Sequence, residues 1–541
     1  MLSFHGRHVH KYLNCRPASL FPGVADNSAR NEARLDSQVP RNIPVSSDCH
    51  CLVSTVDNIL FRVAFEKPAY EQARADISTI LSYQWNKPGT STVVQSRGAA
   101  ERSRSLSVST PIPTKRSKGK FMRKMLVVAA FMCASLQAQV TSGSRTRREQ
   151  PPTNTNQSVN PVIEWNRTLL VIVRTPGAQP STVHSTHSFA ILHAAIYDAV
   201  NNIAGKFNPY LVRLADVAPQ TSKVAAADQA AHDVLLSIYP AFQTTLDAEL
   251  QQDLAQIPDG KVKNDGITVG QTVAAQILAF RANDGSGAPQ PGFTAQNIPG
   301  FYRATPPDFT PADFTQWGDV TPFAIVNARE FLPDPPPALT DTEYIRDLAE
   351  VQSIGEIDST TRTPEQTLIG NFWGGKIQNY WNEITQTAAI AHNLNLEQSA
   401  RVFALVNFGM ADTTISFFEA KYIYHFWRPV SPAELTDSDW LPLSTKTAPD
   451  PSYPGAHSAI SSAAATVLAF YFGDKFTFDV TSEVLPGVTR HFTSFSAAKR
   501  EAGVSRIYAG QHFRFDHLAG LRLGREVSRS VEETTLRAEE H

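Results

Sequence analysis

Cysteine is scarce in this chain and absent from most of its length. The 541 residues include four cysteines, and the last of them is Cys133. The chain beyond that position therefore has neither disulfide bridges nor cysteine ligands for a metal. Cys49-His50-Cys51 places metal-binding residue types together, but no second ligand pair stands at a useful distance, so we predict no metal site there.

The chain also lacks an excess of charge of either sign. Its 49 Lys and Arg residues nearly balance 51 Asp and Glu residues, which gives a formal net charge of -2. This balance argues against a nucleic acid or an anionic membrane surface as a partner. A small anionic ligand is still compatible with it, because such a ligand needs only local positive charge.

A run of apolar residues long enough to anchor in a bilayer is missing near the N-terminus. The basic segment 122–125 precedes a short apolar run at 126–134, and small residues follow as far as Ala138. This order is typical of a secretory signal peptide, and the run is too short for a stable membrane span. We predict a signal peptide at 122–138 and a secreted or periplasmic protein with no stable span after signal removal. The alternative is a buried helix of a larger fold.

Alternating β-branched runs are rare, and helical periodicity dominates from residue 162 onward. We predict a mainly α fold of helical bundles, joined by a long Pro-rich loop at 284–337. A small hairpin near Val480–Val488 is the most β-structure expected. The predicted organisation is a disordered or misannotated extension at 1–121, a flexible linker at 139–161, an N-terminal bundle with its wrapping loop at 162–340, and a C-terminal bundle at 341–541.

Two cations stand at the end of a predicted helix over 396–427. Lys421 and Arg428 are seven residues apart, which on a helix puts both side chains on one face about 10 Å apart. Pro429 would end the helix directly after Arg428. The pair could be an ordinary solvated basic face, but its neighbours are mostly aromatic, and buried cations need an anionic partner.

Two histidine segments follow. Pro454-Gly455-Ala456-His457 leads into a predicted helix, whose free N–H groups and dipole favour an anion and place His457 for acid–base work. Arg506 offers a planar fork for oxygens, and Asp516 lies one helical turn after His512, where it can fix the tautomer of that ring. Alone, His512 would be read as a core histidine. All three clusters together predict a pocket for a tetrahedral oxyanion with one histidine bonded to its central atom.

The segments Lys421–Pro429, Pro454–His457 and Ser505–Asp516 resemble the shared signature of the vanadium-dependent haloperoxidases and the type 2 phosphatidic acid phosphatase (PAP2) superfamily, and look most like the bacterial secreted haloperoxidases. The resemblance implies a helical fold enclosing the site and a vanadate cofactor. It also implies that Lys421, Arg428 and Arg506 bind the vanadate oxygens, that His512 is the metal ligand, and that His457 is the acid–base residue. The implied reaction is oxidation of halide by hydrogen peroxide, with halogenation of a small organic acceptor.

Two alternatives stay open beside the haloperoxidase. One is a soluble acid phosphatase that uses no vanadate, with His512 as the nucleophile on a phosphate ester and His457 protonating the leaving group. The other is a non-catalytic oxyanion-binding homologue. The halide preference, the acceptor and the oligomeric state are left open.

The sequence departs from the family pattern at two positions. Gly455 stands where the family has serine, so we expect the amides of Gly455 and Ala456, helped by Ser458, to replace that hydroxyl. One lost hydrogen bond predicts vanadate affinity weaker by about 1–2 kcal/mol. Asp450 stands where haloperoxidases often have an aromatic residue or histidine near the halide, and an anion there would repel halide.

Overall fold

The computed structural model describes residues 160–539, which belong to one compact unit. The predicted mainly helical fold is confirmed, because this range holds thirteen α-helices and one two-stranded sheet. The predicted extension, the signal peptide and Cys49-His50-Cys51 lie outside the described residues, as does nearly all of the linker. Within 160–539, no helix is both long enough and apolar enough to cross a membrane.

The helices fall before and after the Pro-rich loop. The first group comprises α1 (Pro161–Arg174), α2 (Ser185–Ala204), α3 (Lys223–Ile238), α4 (Gln243–Ala255) and α5 (Lys261–Arg281), with a 3-10 turn at Pro240–Phe242. The loop carries 3-10 turns at Trp317–Asp319 and Ala328–Phe331. The second group comprises α6 (Thr342–Ile354), α7 (Pro364–Phe372), α8 (Ile377–Ala391), α9 (Leu396–Tyr424), α10 (Val430–Ala433), α11 (Ala456–Phe472), α12 (Phe495–Tyr508) and α13 (Arg514–Thr534).

The long helix α9 is the centre of the fold. A capping box between Asn395 and Gln398 starts it, and it then runs for 29 residues that are buried along nearly their whole length. It packs against α2 of the first group and against α11 and α13 of the second. Because it is apolar on most faces, it can bury surface on all sides at once. The predicted boundary at residue 340 stays a prediction.

Glycines on α13 allow this helix to approach α11 closely. A Cβ atom on Gly520 would lie 2.4 Å from the carbonyl oxygen of Gly455, and one on Gly524 would lie 2.0 Å from that of Ala459. Larger residues would therefore push the two helices apart. This contact brings the start of α11, which carries His457, beside the start of α13.

The Pro-rich loop is packed onto the protein, as its aromatic residues predict. The N–H of Tyr302 donates to the carbonyl of His425 at 2.6 Å, and the N–H of Trp427 donates to the carbonyl of Gly300 at 3.0 Å. These two bonds hold the backbone that follows α9. The loop therefore supports the segment that delivers Arg428.

The predicted end of α9 at Trp427 is wrong. The helix ends at Tyr424, and His425 adopts a left-handed conformation with φ of 50° while its N–H still bonds the carbonyl of Lys421. Histidine is among the residue types enriched in this region of backbone space. As a result, Arg428 follows the helix and does not lie on it.

The hairpin exists but is displaced from the predicted position. Strand β1 (Phe478–Thr481) pairs antiparallel with β2 (Thr489–Phe492), with Phe478 opposite Phe492. The expected second strand near 484–488 is instead the connection between the strands. Its Gly487 has a positive φ of 86°, which suits a turn.

Candidate functional site

The three sequence clusters meet at one cavity of about 560 Å³. Its lining includes four of the five predicted charged or histidine site residues, and they come from the segment after α9, the start of α11, and α12 with the loop after it. These four are Arg428, His457, Arg506 and His512. The fifth, Lys421, lies buried behind the wall.

Asp450 joins the two cations of the first cluster. One carboxylate oxygen lies 2.5 Å from Nη2 of Arg428, and the other lies 3.1 Å from Nζ of Lys421. The prediction that Lys421 and Arg428 share a helix face is therefore wrong, although both reach one place. The left-handed turn at His425 redirects the chain, and Asp450 bridges the two side chains.

Lys421 is fully buried and held by backbone as well as by Asp450. Its ammonium donates to the carbonyl oxygens of Pro451 and Ser452, the latter at 3.2 Å. Burial lowers the pKa of Lys421 to about 8, against the opposing attraction of Asp450. For Asp450, burial alone would raise the pKa, but Lys421 and Arg428 hold it below the usual value. This carboxylate is therefore ionised at neutral pH.

The hydrogen bonds of His512 assign its tautomer. Nη1 of Arg428 donates to Nε2 of the ring at 3.1 Å, and the ring Nδ1–H donates to Oδ2 of Asp516 at 2.9 Å. Burial, with the nearby Arg428 and Lys421, lowers the pKa of His512 well below its ordinary value. The ring is thus neutral, and the lone pair on Nε2 accepts the hydrogen bond from the guanidinium of Arg428. A neutral imidazole in this state is the form that binds a metal.

Asp516 is the carboxylate that orients this ring. Its Oδ2 accepts from the hydroxyl of Ser452 at 2.5 Å and from the N–H of Phe513 at 3.1 Å, besides His512. Its Oδ1 is buried and has no hydrogen-bond donor within 160–539. Burial raises the pKa of Asp516 to about 7. Ser452 was missed by the sequence reasoning, since a lone serine in a loop carries no signal.

Asp516→Asn is expected to keep the geometry of His512 and remove the charge behind it. The amide oxygen can take the place of Oδ2, and the NH2 group can take the place of the donor-free Oδ1. We expect vanadate to bind about tenfold more weakly, because a carboxylate behind a ligand histidine raises its basicity. A vanadate titration followed by 51V NMR measures this. The matched control is Asp347→Asn, which changes a buried carboxylate that accepts from Phe515 N–H at 2.9 Å. Equal effects of the two variants would contradict the orienting role.

Arg506 differs from the other two cations because no carboxylate within 160–539 pairs with it. It projects from α12 to the cavity. Burial, and then repulsion by Arg428, lower the pKa of Arg506 to about 10, so it stays charged at neutral pH. An unpaired guanidinium at a cavity wall calls for an anionic ligand.

His457 stands in the first turn of α11 with its tautomer also assigned. Its Nε2–H donates to the carbonyl of Trp373 at 3.0 Å, which leaves Nδ1 as a proton acceptor. Burial, and then Arg506, lower the pKa of His457 to about 3. An oxyanion between His457 and Arg506 would raise this pKa, because it favours the charged ring.

The expected anion contacts around Gly455 need correction. The N–H of Gly455 donates to the carbonyl of Asp516 at 2.9 Å, so it is not available to an anion. The hydroxyl of Ser458 is bonded to Nδ1 of His517 at 2.8 Å and does not replace the missing serine. The N–H of Ala456 is in the first turn of α11, where amides have no intrahelical partner. Of the three expected donors, the N–H of Ala456 is the one whose contact with an anion stays a prediction.

Gly455→Ser is expected to tighten vanadate binding by less than about tenfold, which is about 1.4 kcal/mol. The new hydroxyl can donate to the anion. However, a Cβ here would lie 3.2 Å from the carbonyl oxygen of Asp516, so the residue behind His512 must shift. Gly287→Ser is the control, since its Cβ would meet no atom within 4 Å. Unchanged vanadate affinity would contradict the hydroxyl's proposed role.

The cavity lining also contains apolar residues, of which the sequence indicated those next to Lys421 but not the others. It includes Phe314, Phe417 and Phe418, with His184 packed edge-on against Phe314 at 5.5 Å between ring centres. Burial lowers the pKa of His184 to about 3, so this ring is neutral. Phe314 and His184 lie far from Lys421 in the sequence, and no local pattern connects them to the site. The cavity lining therefore combines cations with apolar side chains.

These residues fit a tetrahedral oxyanion. Arg506 has no carboxylate partner among residues 160–539, the lone pair of His512 Nε2 is shared only with the guanidinium of Arg428, and the start of α11 offers the N–H of Ala456. Within 160–539 there is no cluster of three or more His, Cys, Asp or Glu side chains that could hold a metal ion. A metal held by one histidine, with its oxygens bound by cations, needs no such cluster.

Comparison with known proteins agrees with the motifs. Residues 401–539 match the family model of the VCPO second helical-bundle domain. The chain is 24% identical over 366 residues to the vanadium chloroperoxidase of Curvularia inaequalis, which covers 50% of this chain and 60% of that protein. The chain thus spans about three fifths of this relative's length. The resemblance to vanadium haloperoxidases is confirmed.

Two solved structures extend the comparison. A bacterial vanadium-dependent iodoperoxidase aligns with a TM-score of 0.61 and 25% identity, covering 73% of this chain and all of that one. A holo-type bacterial vanadium-dependent chloroperoxidase aligns with a TM-score of 0.51 and 16% identity, covering 71% of this chain and 94% of that one. The second alignment supports the fold alone.

Proposed function

We propose that this protein, which is related to the vanadium haloperoxidases, oxidises halide with hydrogen peroxide at a vanadate bound in the cavity. The observation that carries the proposal is the meeting of unpaired Arg506 with Arg428 and a neutral, oriented His512. The motifs that resemble the family signature converge there, together with acid–base candidate His457.

The chain's own residues have distinct parts in this proposal. His512 would hold vanadium through Nε2, with Asp516 keeping the proton on Nδ1. Arg428, Arg506 and the N–H of Ala456 would hold the oxygens, and Lys421 would support them from behind Asp450. Bound vanadate supplies Lewis-acid activation of peroxide without a change of its own oxidation state.

His457 would move the proton that peroxide loses on binding. Its Nε2–H is fixed to the carbonyl of Trp373, so Nδ1 is the atom that accepts a proton. Its low pKa in the absence of ligand rises when an anion lies beside it, which brings the ring into the range of general acid–base catalysis. The apolar residues of the lining, among them Phe417 and Phe418, would limit water next to the vanadate and could contact a small organic acceptor.

One paired assay tests the proposal. The full-length protein is loaded with orthovanadate, and oxidation of iodide, bromide and chloride by peroxide is measured, beside hydrolysis of a phosphate ester without vanadate. Halide oxidation that needs both vanadate and peroxide supports the proposal. Ester hydrolysis alone would instead indicate a phosphatase, and oxyanion binding without either activity would indicate a non-catalytic homologue.

We also propose that the protein is exported through residues 122–138. The basic segment and short apolar run there have the order of a signal peptide. Expression in a Gram-negative host should yield periplasmic protein whose N-terminus follows Ala138. Cytoplasmic protein that retains these residues would contradict this.

A further inference from the structure

Asp450 is fixed at the cavity wall by both of its carboxylate oxygens and by its backbone. The oxygens bind Arg428 and Lys421 at 2.5 and 3.1 Å, and its carbonyl accepts from Nε of Arg428 at 2.8 Å. The residue is 7% exposed and lines the same cavity as His512. It therefore cannot turn away without leaving two buried cations unpaired.

The carboxylate changes the charge that a ligand meets. Lys421, Arg428 and Arg506 carry three positive charges, and Asp450 subtracts one, so these four side chains sum to +2. Only Arg506 among the three cations has no carboxylate partner within 160–539. Asp516 is engaged on the far side of His512, where it binds the ring and Ser452.

We propose that Asp450 is a specificity-determining residue that makes this site prefer singly charged over doubly charged tetrahedral oxyanions. Its repulsion acts on every charge of the ligand, so a dianion loses twice the free energy that a monoanion of equal size loses. The inference rests on the proposed function insofar as it concerns vanadate.

This preference separates the two chemistries that the scaffold can serve. A phosphate monoester carries close to two negative charges at neutral pH. Orthovanadate is a weaker acid than phosphate and is mainly singly charged there. Asp450 thus disfavours the phosphatase substrate while costing vanadate less.

Perrhenate and tungstate are suitable probes because both are tetrahedral and they are nearly equal in size. Near neutral pH perrhenate carries one negative charge and tungstate carries two, and neither charge changes with small changes of pH. Calorimetric titrations at pH 6.5 and 7.5 would compare the full-length wild type with Asp450→Asn. The lower pH is needed because Asp450 opposes the fall in the pKa of Lys421, so its removal makes the Lys421 ammonium easier to deprotonate. We expect perrhenate affinity to rise about tenfold and tungstate affinity about 100-fold, because the factor for a dianion is the square of that for a monoanion. Equal gains for both ions, or no gain, would overturn the proposal.

Asp313→Asn is the matched control. Asp313 also lines the cavity, but its Oδ1 accepts from Gln290 at 3.0 Å and from the N–H of Phe314 at 2.9 Å, and it does not contact Lys421 or Arg428. We expect this variant to change the tungstate-to-perrhenate affinity ratio by less than about threefold. A ratio change as large as that of Asp450→Asn would contradict a specific role for Asp450.

A second measurement is needed in case Asp450→Asn is unstable, because this substitution leaves Lys421 and Arg428 buried without a counter-ion. The variant is purified with tungstate, and its Tm is followed as each ion is titrated. Tungstate should raise the Tm more than perrhenate in the variant, and this difference should shrink or reverse in the wild type. The same difference in both proteins would sink the inference.

Vanadate binding separates this inference from the proposed function. If 51V NMR detects vanadate on the wild type but the ion preference does not depend on Asp450, the inference fails and the function stands. If vanadate binds neither protein while the ion preference changes as expected, the function fails and the inference stands.

Discussion

Replacing His512 with alanine is expected to lower kcat/KM for halide oxidation by at least about 1,000-fold, which corresponds to ~4 kcal/mol of transition-state stabilisation. The neutral Nε2 of this ring is the proposed ligand atom for vanadium, and Asp516 holds the ring at Nδ1. Nη1 of Arg428, which donates to Nε2, would have to give up that bond and turn to a vanadate oxygen. Water or a neighbouring side chain cannot replace an oriented imidazole in a buried wall. The steady-state halide assay with added orthovanadate measures the loss, and 51V NMR measures vanadate binding.

A second buried histidine provides the control for the loss of His512. His232 is 6% exposed and bonds Asp233 and Asp247 through its two ring nitrogens, but it lies away from the catalytic cavity. His232→Ala should reduce Tm while leaving kcat/KM within about threefold. If His512→Ala kept substantial activity, the site would have been assigned to the wrong histidine.

Arg506→Gln is expected to weaken vanadate binding by about 100-fold without reducing the stability of the ligand-free protein. The guanidinium has no carboxylate partner within 160–539, so its removal breaks no ion pair and relieves repulsion with Arg428. Charge-assisted hydrogen bonds to an oxyanion are worth ~1.5–3 kcal/mol each, and one such loss accounts for the expected factor. A vanadate titration should therefore show the lower affinity, whereas the Tm of the ligand-free protein should not fall.

Arg514 allows a matched comparison on the neighbouring helix. It makes two hydrogen bonds with Glu350, at 2.8 and 2.5 Å, and is one third exposed. Arg514→Gln should lower Tm slightly and leave vanadate affinity unchanged. A lower Tm for ligand-free Arg506→Gln, with affinity intact, would show that Arg506 is structural.

The spacing within the motifs predicted much of the site because the charged and histidine residues of each motif lie close together in the sequence. The pairing of His512 with Asp516 was predicted from their separation of four residues, although His512 precedes α13 and Asp516 reaches back to it from the first turn of that helix. The role of Asp450 could not be predicted in the same way. It lies 22 residues from Arg428 in the chain, and only the tertiary fold shows that it pairs with this cation.

Two other sequence predictions were wrong because the backbone conformation or hydrogen bonding there depends on contacts distant in the sequence. The seven-residue spacing of Lys421 and Arg428 fits a helix, but the left-handed turn at His425 depends on tertiary hydrogen bonds from the Pro-rich loop. At Gly455, the amide is consumed by the carbonyl of Asp516, which comes from the closely packed α13. Helix periodicity does not encode either contact, whereas it does encode the predominantly helical fold.

The two hydrogen bonds that join Gly300 and Tyr302 to the backbone after α9 determine which segments a chimeric protein must contain. The segment that matches the family model begins at residue 401. A domain exchange at that border would transfer Arg428 and His512 but would leave behind the Pro-rich loop that supports the backbone before Arg428. Substitutions in this loop would therefore be expected to affect oxyanion binding, although the loop carries none of the signature residues. Loop and signature should change in concert among relatives, and a functional chimera would need to carry both.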